Sequence, residues 1–333
     1  PMVNRSLPTA ARVLDRPEPY DPVRRNPELT PYLVRPNGEL VTEISHRQDK
    51  CRRSLAGKYY YPYCYMARVD KSGLFAAMAR WIEKSVGRAH LWSDYLYCLE
   101  DPNALGPLPP ETPLTTTYNR FLPHSNIVRI RRGNLDATIL ADNATLFVLH
   151  KGQAILQSLR FASAFFGKGQ FVADSLQRTE DGVQLTQTLS GPYVQPLPRA
   201  LLVGDGDWRK MPHGQREKTE VQQLTARITI REVEGQYRIQ FQTEGTERVP
   251  WAIEIALRPG GKLAGVTPLE GVPEAYIADS PEFTYQVGSD TLRFNGLQAA
   301  HRWTQLRGAQ AKLDAKCVYL TGYTPIDFEL TIG

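Results

Sequence analysis

Apolar positions at helical spacing mark two short stretches in the first third of the chain. In residues 72–87, SGLFAAMARWIEKSVG, Leu74, Met78 and Ile82 recur at intervals of one helical turn. A serine stands at the start, where it caps a helix, and a glycine follows the end. Residues 90–101, HLWSDYLYCLED, repeat the apolar pattern. The spacing therefore predicts two successive amphipathic helices.

The N-terminal segment has many prolines and no clear apolar period. Proline lacks the N–H that helices and sheets use, so we expect residues 1–35 to be extended, with a turn at Asn37-Gly38. No apolar core of a signal peptide is present in this segment. We expect the chain to be a piece of a longer or processed polypeptide, the alternative being a natural extended arm.

Residues 102–114, PNALGPLPPETPL, separate two parts of different composition. Five of these thirteen residues are proline, which excludes a helix or a central strand. The predicted organisation is an N-terminal arm and helical segment at 1–101, a proline-rich linker at 102–119 and an antiparallel β-sandwich at 120–333.

Alternating apolar and polar positions dominate the chain after the linker. Residues 127–150 alternate between turns at Gly133-Asn134 and Asp142-Asn143. Residues 225–245 have the pattern of a hairpin that turns at Glu234-Gly235. Strand patterns follow one another without helical segments between them, which is typical of a large antiparallel sandwich. The predicted fold class is α+β, multi-domain, with a short helical segment before the sandwich.

The composition of the chain excludes only a few functional classes. The chain has 333 residues and 40 basic against 35 acidic side chains, a net charge of +5 that suits an anionic substrate but equally describes an ordinary surface. No stretch is apolar enough to span a membrane, and we expect no nucleic-acid partner. The four cysteines form no CxxC pair, so we expect reduced thiols, with a bridge between Cys51 and Cys64 as the alternative in an exported protein.

Four stretches of the strand-rich part carry a family resemblance: SNIVRIRRG at 125–133, SAFFGKGQF at 163–171, WAIEIALRPGGKL at 251–263 and YLTGYTP at 319–325. With the helical pair and the linker before them, they resemble the C-terminal part of α/α-toroid polysaccharide lyases, in particular heparinase II/III-like proteins. The resemblance covers about two thirds of the chain. A His-rich stretch and most of the toroid helices of that family are missing here.

The resemblance implies an α/α-toroid-like helical segment, β-elimination on an acidic, uronate-containing polysaccharide or oligosaccharide, no cofactor, and a periplasmic or secreted location. Elimination needs a base for the proton beside the carboxylate, a group that neutralises the carboxylate, and an acid for the leaving oxygen. Histidine or tyrosine serves as the base, arginine or an amide grips the carboxylate, and tyrosine often serves as the acid.

Residues 46–65, HRQDKCRRSLAGKYYYPYCY, contain all three residue types. We expect the base and the acid to come from His46 and the tyrosines, with Tyr61 and Tyr63 as the chosen tyrosines. We expect the substrate carboxylate to be bound by Arg47, Gln48 or Arg53. The alternative is that the tyrosines are packed and the charges solvated, with Asp49 paired to a nearby arginine.

A second candidate stretch, LPHSNIVRIRRG, begins at residue 122. His124 is a candidate base and Asn126 a candidate carboxylate ligand, and Arg129 adds positive charge. The alternative, which we favour slightly, is the entrance of a strand with a solvated basic face.

Trp92 is the candidate platform for stacking on a sugar ring, and Trp251 and Trp303 are further possibilities, although core packing is the commoner fate of tryptophan. We expect structural roles for the remaining histidines, and no metal ligand is predicted.

Three functions remain open at this point. The leading prediction is a polysaccharide lyase, and the alternative is a non-catalytic carbohydrate-binding or structural sandwich. A hydrolase would need two facing carboxylates, for which Asp49 and Asp94 are available. A cleft lined by both His124 and the 46–65 stretch would favour the lyase.

Overall fold

A computed structural model of the chain describes residues 2–45, 47–101 and 104–333. The chain divides into two compact units, residues 1–138 (unit 1) and residues 139–333 (unit 2). Short helices and large antiparallel sheets together make the protein an α+β structure, as the sequence predicts. The division at 138/139 follows spatial compactness, and the boundaries drawn from composition stay a prediction.

The α-helices of the described chain all lie in unit 1, and the only helical segments in the described residues of unit 2 are short 3-10 turns. Helix α4 confirms the first sequence prediction: the Ser72 hydroxyl accepts a hydrogen bond from the Phe75 N–H at 3.3 Å, and Gly87 follows the helix with φ +83°. The second predicted helix is α5. The bounds are α1 Met2–Val13, α2 Tyr20–Leu29, α3 Tyr60–Val69, α4 Gly73–Val86 and α5 Trp92–Glu100.

The predicted extended arm at residues 1–35 is wrong, because α1 and α2 occupy most of it. Pro8 and Pro27 lie inside these helices, where each removes one backbone donor. Packing outweighs that loss: Val23 is fully buried on α2, and Arg5 of α1 forms an ion pair with the buried Asp94. The number of prolines in a segment does not reveal such tertiary contacts, so the sequence pattern predicted no helix here.

The tyrosine-rich stretch forms α3 and the core of unit 1, with α4 packed against it. Tyr63 packs edge-on against Phe75 of α4 at 5.8 Å between ring centroids. The Tyr65 and Tyr20 hydroxyls are hydrogen-bonded to each other at 2.8 Å. The preceding charged stretch forms turns in its described residues.

The proline-rich segment and the strands after it follow the sequence prediction. Residues 107–116 contain neither helix nor strand. Strand β1 then pairs antiparallel with β2, and Asn119 lies opposite Ile130. Strand β3 follows a turn at Gly133-Asn134, as predicted. The bounds are β1 Thr117–Leu122, β2 Ile127–Arg132 and β3 Leu135–Leu140, the last containing the division between the units.

A buried ionic cluster joins β2 and β3 to the segment around residue 35. The Arg129 side chain is fully buried, and its Nη2 donates to both carboxylate oxygens of Asp136 at 2.8 and 2.7 Å. Arg35 pairs with Glu43, and Glu43 accepts from the Thr138 hydroxyl at 2.8 Å. The prediction of a solvated basic face is therefore wrong for Arg129, because a strand position cannot reveal which neighbours cover it.

Unit 2 consists of two sheets that face each other. The first has the order β4-β5-β10-β16-β13-β12 within this unit, and the second has the order β11-β14-β15-β17-β9-β8-β7-β6. Pairing is antiparallel except between β13 and β16. The bounds are β4 Phe147–Lys151, β5 Ala154–Ser163, β6 Ser175–Arg178, β7 Gly182–Val194, β8 Lys218–Val233, β9 Gln236–Gly245, β10 Pro250–Leu257, β11 Lys262–Ala264, β12 Thr267–Pro268, β13 Ala275–Ile277, β14 Glu282–Val287, β15 Asp290–Asn295, β16 Lys316–Tyr323 and β17 Asp327–Ile332.

Aromatic side chains fill the space between the two sheets and give unit 2 its sandwich-like arrangement. Phe161 of β5 meets Phe241 of β9 at 6.0 Å between ring centroids, and Trp251 of β10 stacks on Phe328 of β17 at 5.5 Å. The β8–β9 hairpin turns at Glu234-Gly235 as predicted, with φ +52° and +77°, the backbone of a tight two-residue turn.

All four cysteines are free thiols, and Cys51 is the exposed one. Of the helices in the described chain, none combines the length and the apolar character that crossing a membrane requires.

Candidate functional site

Unit 1 contains a cavity of about 470 Å³ bordered by residues between Thr30 and Tyr59. This volume falls within the range of about 300–1,000 Å³ that is usual for small-ligand sites. Its apolar lining comes from the side chains of Leu33, Leu40, Val41 and Ile44.

A tight turn shapes one wall of the cavity. In RPNGEL, the Gly38 N–H donates to the Arg35 carbonyl at 2.9 Å, and Gly38 has φ +82°, which favours glycine. The Leu40 N–H then donates to the Ser54 carbonyl at 2.8 Å and joins the two chain segments. The predicted Asn37-Gly38 turn is thus confirmed, and it brings residues 40–45 beside Ser54.

The charged stretch forms the opposite wall as two overlapping turns. The Lys50 N–H donates to the Arg47 carbonyl at 3.1 Å, and the Thr42 hydroxyl donates to the Arg52 carbonyl at 2.8 Å. The Ser45 hydroxyl donates to Asp49 at 2.6 Å. These bonds hold the turn and engage the side chains of Thr42, Ser45 and Asp49. Arg47 and Gln48 also border the cavity, and neither takes part in these side-chain bonds.

The polar lining combines two cations, one carboxylate and one amide. Arg47 and Lys58 carry positive charge, Asp49 carries negative charge, and Gln48 supplies the amide. The hydrogen bond from Ser45 lowers the pKa of Asp49, and the charge of Arg47 adds to this effect. Two cations against one ionised carboxylate leave the described lining with a net charge of +1.

Tyr59 places a phenol on the cavity wall. Burial raises the pKa of Tyr59, and a hydrogen bond with Thr30 offsets part of that rise. The phenol therefore stays protonated at neutral pH and can donate a proton rather than accept one. In the sequence analysis, Tyr59 counts among the tyrosines of the 46–65 stretch, but Tyr61 and Tyr63 are the chosen candidates and Lys58 is not considered. The turn at Ala56–Tyr59 brings both Lys58 and Tyr59 to the cavity. The sequence Lys58-Tyr59 by itself does not indicate a ligand site.

The predicted residues of the charged stretch have different positions. Arg47 and Gln48 line the cavity. His46 lies outside the described residues. Arg53 is largely exposed, does not line the cavity and pairs with the buried Glu39 at 2.7 Å.

Tyr61 and Tyr63 lie in the helical core. Both side chains are fully buried, and the Tyr63 hydroxyl donates to the Pro27 carbonyl at 2.7 Å. Burial raises the pKa of Tyr61 to about 12 and the pKa of Tyr63 well above its ordinary value. Their surroundings are those of packed tyrosines, as the alternative in the sequence analysis describes.

The remaining predicted residues are exposed elsewhere in unit 1. His124 lies in the turn Pro123–Ser125, and Asn126 follows it with φ +49°. Trp92 begins α5 with 68% of its surface exposed. None of these three borders the cavity, so the cleft expected from His124 and the 46–65 stretch together does not coincide with it.

The two carboxylates considered for a hydrolase do not face each other across the cavity. Asp49 borders the cavity, whereas Asp94 is fully buried, pairs with Arg5 and accepts a hydrogen bond from the Tyr61 N–H at 3.2 Å. Within residues 2–45, 47–101 and 104–333, no group of three or more His, Cys, Asp or Glu side chains is arranged to hold a metal ion.

Comparison with known proteins adds little beyond the fold class. No protein-family model and no curated protein matches the chain. Among solved structures, it is similar to a crystal structure of 4-alpha-glucanotransferase from Thermococcus litoralis, at 8% sequence identity and a TM-score of 0.34, over 82% of this chain and 48% of that chain. The chain therefore spans about half the length of that protein.

Proposed function

We propose that the unit 1 cavity binds an acidic, uronate-containing oligosaccharide and that the protein cleaves it by β-elimination. The observation that carries this proposal is the cavity lining, in which Arg47 and Lys58 outweigh Asp49 and Gln48 adds hydrogen-bonding capacity. A net positive, hydroxyl-rich pocket of this size favours a sugar carboxylate over a neutral sugar.

Each chemical role has a candidate in this stretch. Arg47 pairs with the uronate carboxylate and makes the adjacent C–H more acidic, with Gln48 as a second donor. His46, from the sequence prediction, is the proposed base that takes the proton. Tyr59 is the proposed acid, because its protonated phenol borders the cavity and can donate to the leaving sugar oxygen.

The test is near-ultraviolet absorbance during incubation with heparan sulfate, hyaluronan, chondroitin, alginate and pectate. Elimination creates an absorbing unsaturated uronate, whereas hydrolysis does not. We expect a rise with at least one glycan, lost in His46→Gln and reduced at least about tenfold in Arg47→Ala, the loss of one charge-assisted contact.

Lys50→Ala is the matched control, because Lys50 is an exposed cation of the same turn that does not line the cavity. Its rate should equal that of the unaltered protein. Equal losses in Lys50→Ala and Arg47→Ala would overturn the assignment to the cavity.

A non-catalytic glycan-binding role is the second candidate, supported by the burial of Tyr61 and Tyr63, which withdraws two of the predicted acid or base groups from solvent. Binding of an acidic glycan, weakened by Arg47→Ala but without a rise in absorbance, would establish this role and overturn elimination.

A further inference from the structure

Three side chains meet across the central strands of the first sheet of unit 2. Glu254 of β10 lies directly opposite Arg160 of β5 on one side and Tyr319 of β16 on the other. The Tyr319 hydroxyl donates to Glu254 Oε2 at 2.8 Å, and Arg160 Nη1 lies 3.5 Å from Glu254 Oε1. The three side chains therefore form a polar row on one face of the sheet.

This row is buried but incompletely hydrogen-bonded. Glu254 is 8% exposed, yet its Oε1 has no hydrogen-bond partner among the described residues, and neither has Arg160 Nε. Both groups border a small cavity of about 20 Å³, lined also by Gln170 and Thr304. Buried polar groups are ordinarily paired, so a free acceptor beside a free donor indicates a place for a further polar group.

A long irregular segment covers the row. Residues 296–315 connect β15 to β16 without a helix or a strand, and connections of that length in a compact domain are commonly functional lids or binding loops. The Gln310 N–H donates to Gln170 Oε1 at 2.9 Å, and the Ala311 carbonyl accepts from Arg160 Nη1 at 3.1 Å. The segment is thus held over the sheet partly by the same side chains that line the cavity.

We propose that Arg160, Glu254 and Tyr319 form a binding site for one ring of a neutral, hydroxyl-rich sugar, and that residues 296–315 are its lid. A hydroxyl group donates and accepts at once, so a single sugar hydroxyl satisfies both Glu254 Oε1 and Arg160 Nε. Displacing the lid frees a floor of Ala162 and Ala252, whose small side chains leave room for the ring.

The charge of the row selects a neutral ligand. Arg160 and Glu254 cancel, so the described lining of this cavity has no net charge, in contrast to the net positive lining in unit 1. The lid brings Thr304 to the cavity, and its neighbour Trp303 is 60% exposed, as an aromatic platform for a second sugar ring would be.

Isothermal titration of the full chain with D-glucose, D-galactose, D-mannose and D-glucuronate tests the site. We expect at least one neutral sugar to bind, and Glu254→Gln and Thr304→Val each to weaken that binding at least about tenfold, the loss of one hydrogen bond to a charged or buried group. Glu329→Gln, the same substitution on β17 of the other sheet, should leave the affinity unchanged.

Hydrogen exchange of residues 302–311 is the second measurement. The bound neutral sugar should speed exchange in this segment, because a ring enters the cavity of about 20 Å³ only when the lid is displaced and its hydrogen bonds to the sheet are broken. If Glu254→Gln fails to fold, Thr304→Val still tests the site, since this substitution removes only a hydroxyl from the lid.

Three results would overturn the proposal: none of the neutral sugars binds, binding survives both Glu254→Gln and Thr304→Val, or binding is lost in Arg47→Ala. The last result would assign the neutral sugar to the unit 1 cavity. Binding without faster exchange at 302–311 would overturn the role of the lid.

Discussion

Arg129 in unit 1 and Arg160 in unit 2 look alike in sequence, since each interrupts an apolar strand, but their surroundings differ. Arg129 uses all three nitrogens: Nε donates to the Tyr32 carbonyl at 2.8 Å, Nη1 to the Ala137 carbonyl at 2.8 Å, and Nη2 to the Asp136 carboxylate. Among the described residues, Arg160 donates a hydrogen bond from Nη1 to the Ala311 carbonyl, whereas its buried Nε has no partner.

The difference distinguishes a buried arginine that only stabilises the fold from one that can still bind a ligand. When a buried ion is fully hydrogen-bonded, removing one of its partners destabilises the protein. Such an ion has no donor or acceptor left for a ligand. A buried ion with a free donor retains that capacity, which is why the ligand site is proposed at Arg160 and not at Arg129.

Replacing Arg129 should give the largest effect. Arg129→Met leaves the buried Asp136 charge without its bidentate partner, so we expect the free energy of unfolding to fall by about 3–5 kcal/mol. Urea unfolding followed by circular dichroism measures this change. Arg131→Met on the same strand, at a half-exposed position, should change the free energy of unfolding by less than about 0.5 kcal/mol.

The double variant Arg129→Met with Asp136→Leu sharpens that result. Removing both charges should restore part of the lost stability, because no buried ion is left unpaired. An Arg129→Met protein as stable as the unaltered one would show that Arg129 is not buried as described.

Arg160→Met should cost less, at about 1–2 kcal/mol, because it breaks one hydrogen bond and a long ion pair while Glu254 keeps its bond from Tyr319. The same urea experiment measures it. A loss as large as that of Arg129→Met would remove the contrast between the two arginines and with it the reason to place a ligand at Arg160.

Local patterns predicted most of the fold. The cap at Ser72, the hairpin at Glu234-Gly235 and the proline-rich segment at 107–116 depend on neighbours in the chain, so sequence alone identified them. Helices α1 and α2 depend on tertiary packing that overrides their prolines, and the sequence prediction missed them for that reason.

The candidate sites were harder to predict because they depend on contacts that are distant in sequence. Arg47 and Gln48 were selected for their residue types and do border the cavity, whereas Tyr59 joins them only through the fold. The row in unit 2 unites positions 160, 254 and 319, and no spacing rule connects residues that far apart.

The last prediction concerns an effect that is absent at neutral pH, and it extends the contrast from arginine to buried tyrosine. The unfolded chain releases a tyrosine proton near pH 10, whereas folded Tyr61 holds it to about pH 12. Between these values the folded state binds more protons, so the free energy of unfolding falls as pH rises, and this stabilising contribution is fully present only below about pH 10.

Tyr61→Phe should therefore flatten the decline in stability between about pH 10 and about pH 12, as measured by urea unfolding at several pH values. Tyr193→Phe, at a tyrosine with 54% of its surface exposed, should leave the decline as it is. An unchanged slope in Tyr61→Phe would mean that the phenol exchanges its proton freely in the folded state. The core of unit 1 would then be open to solvent around α3, where the full burial of Tyr61 and Tyr63 leads us to expect closed packing.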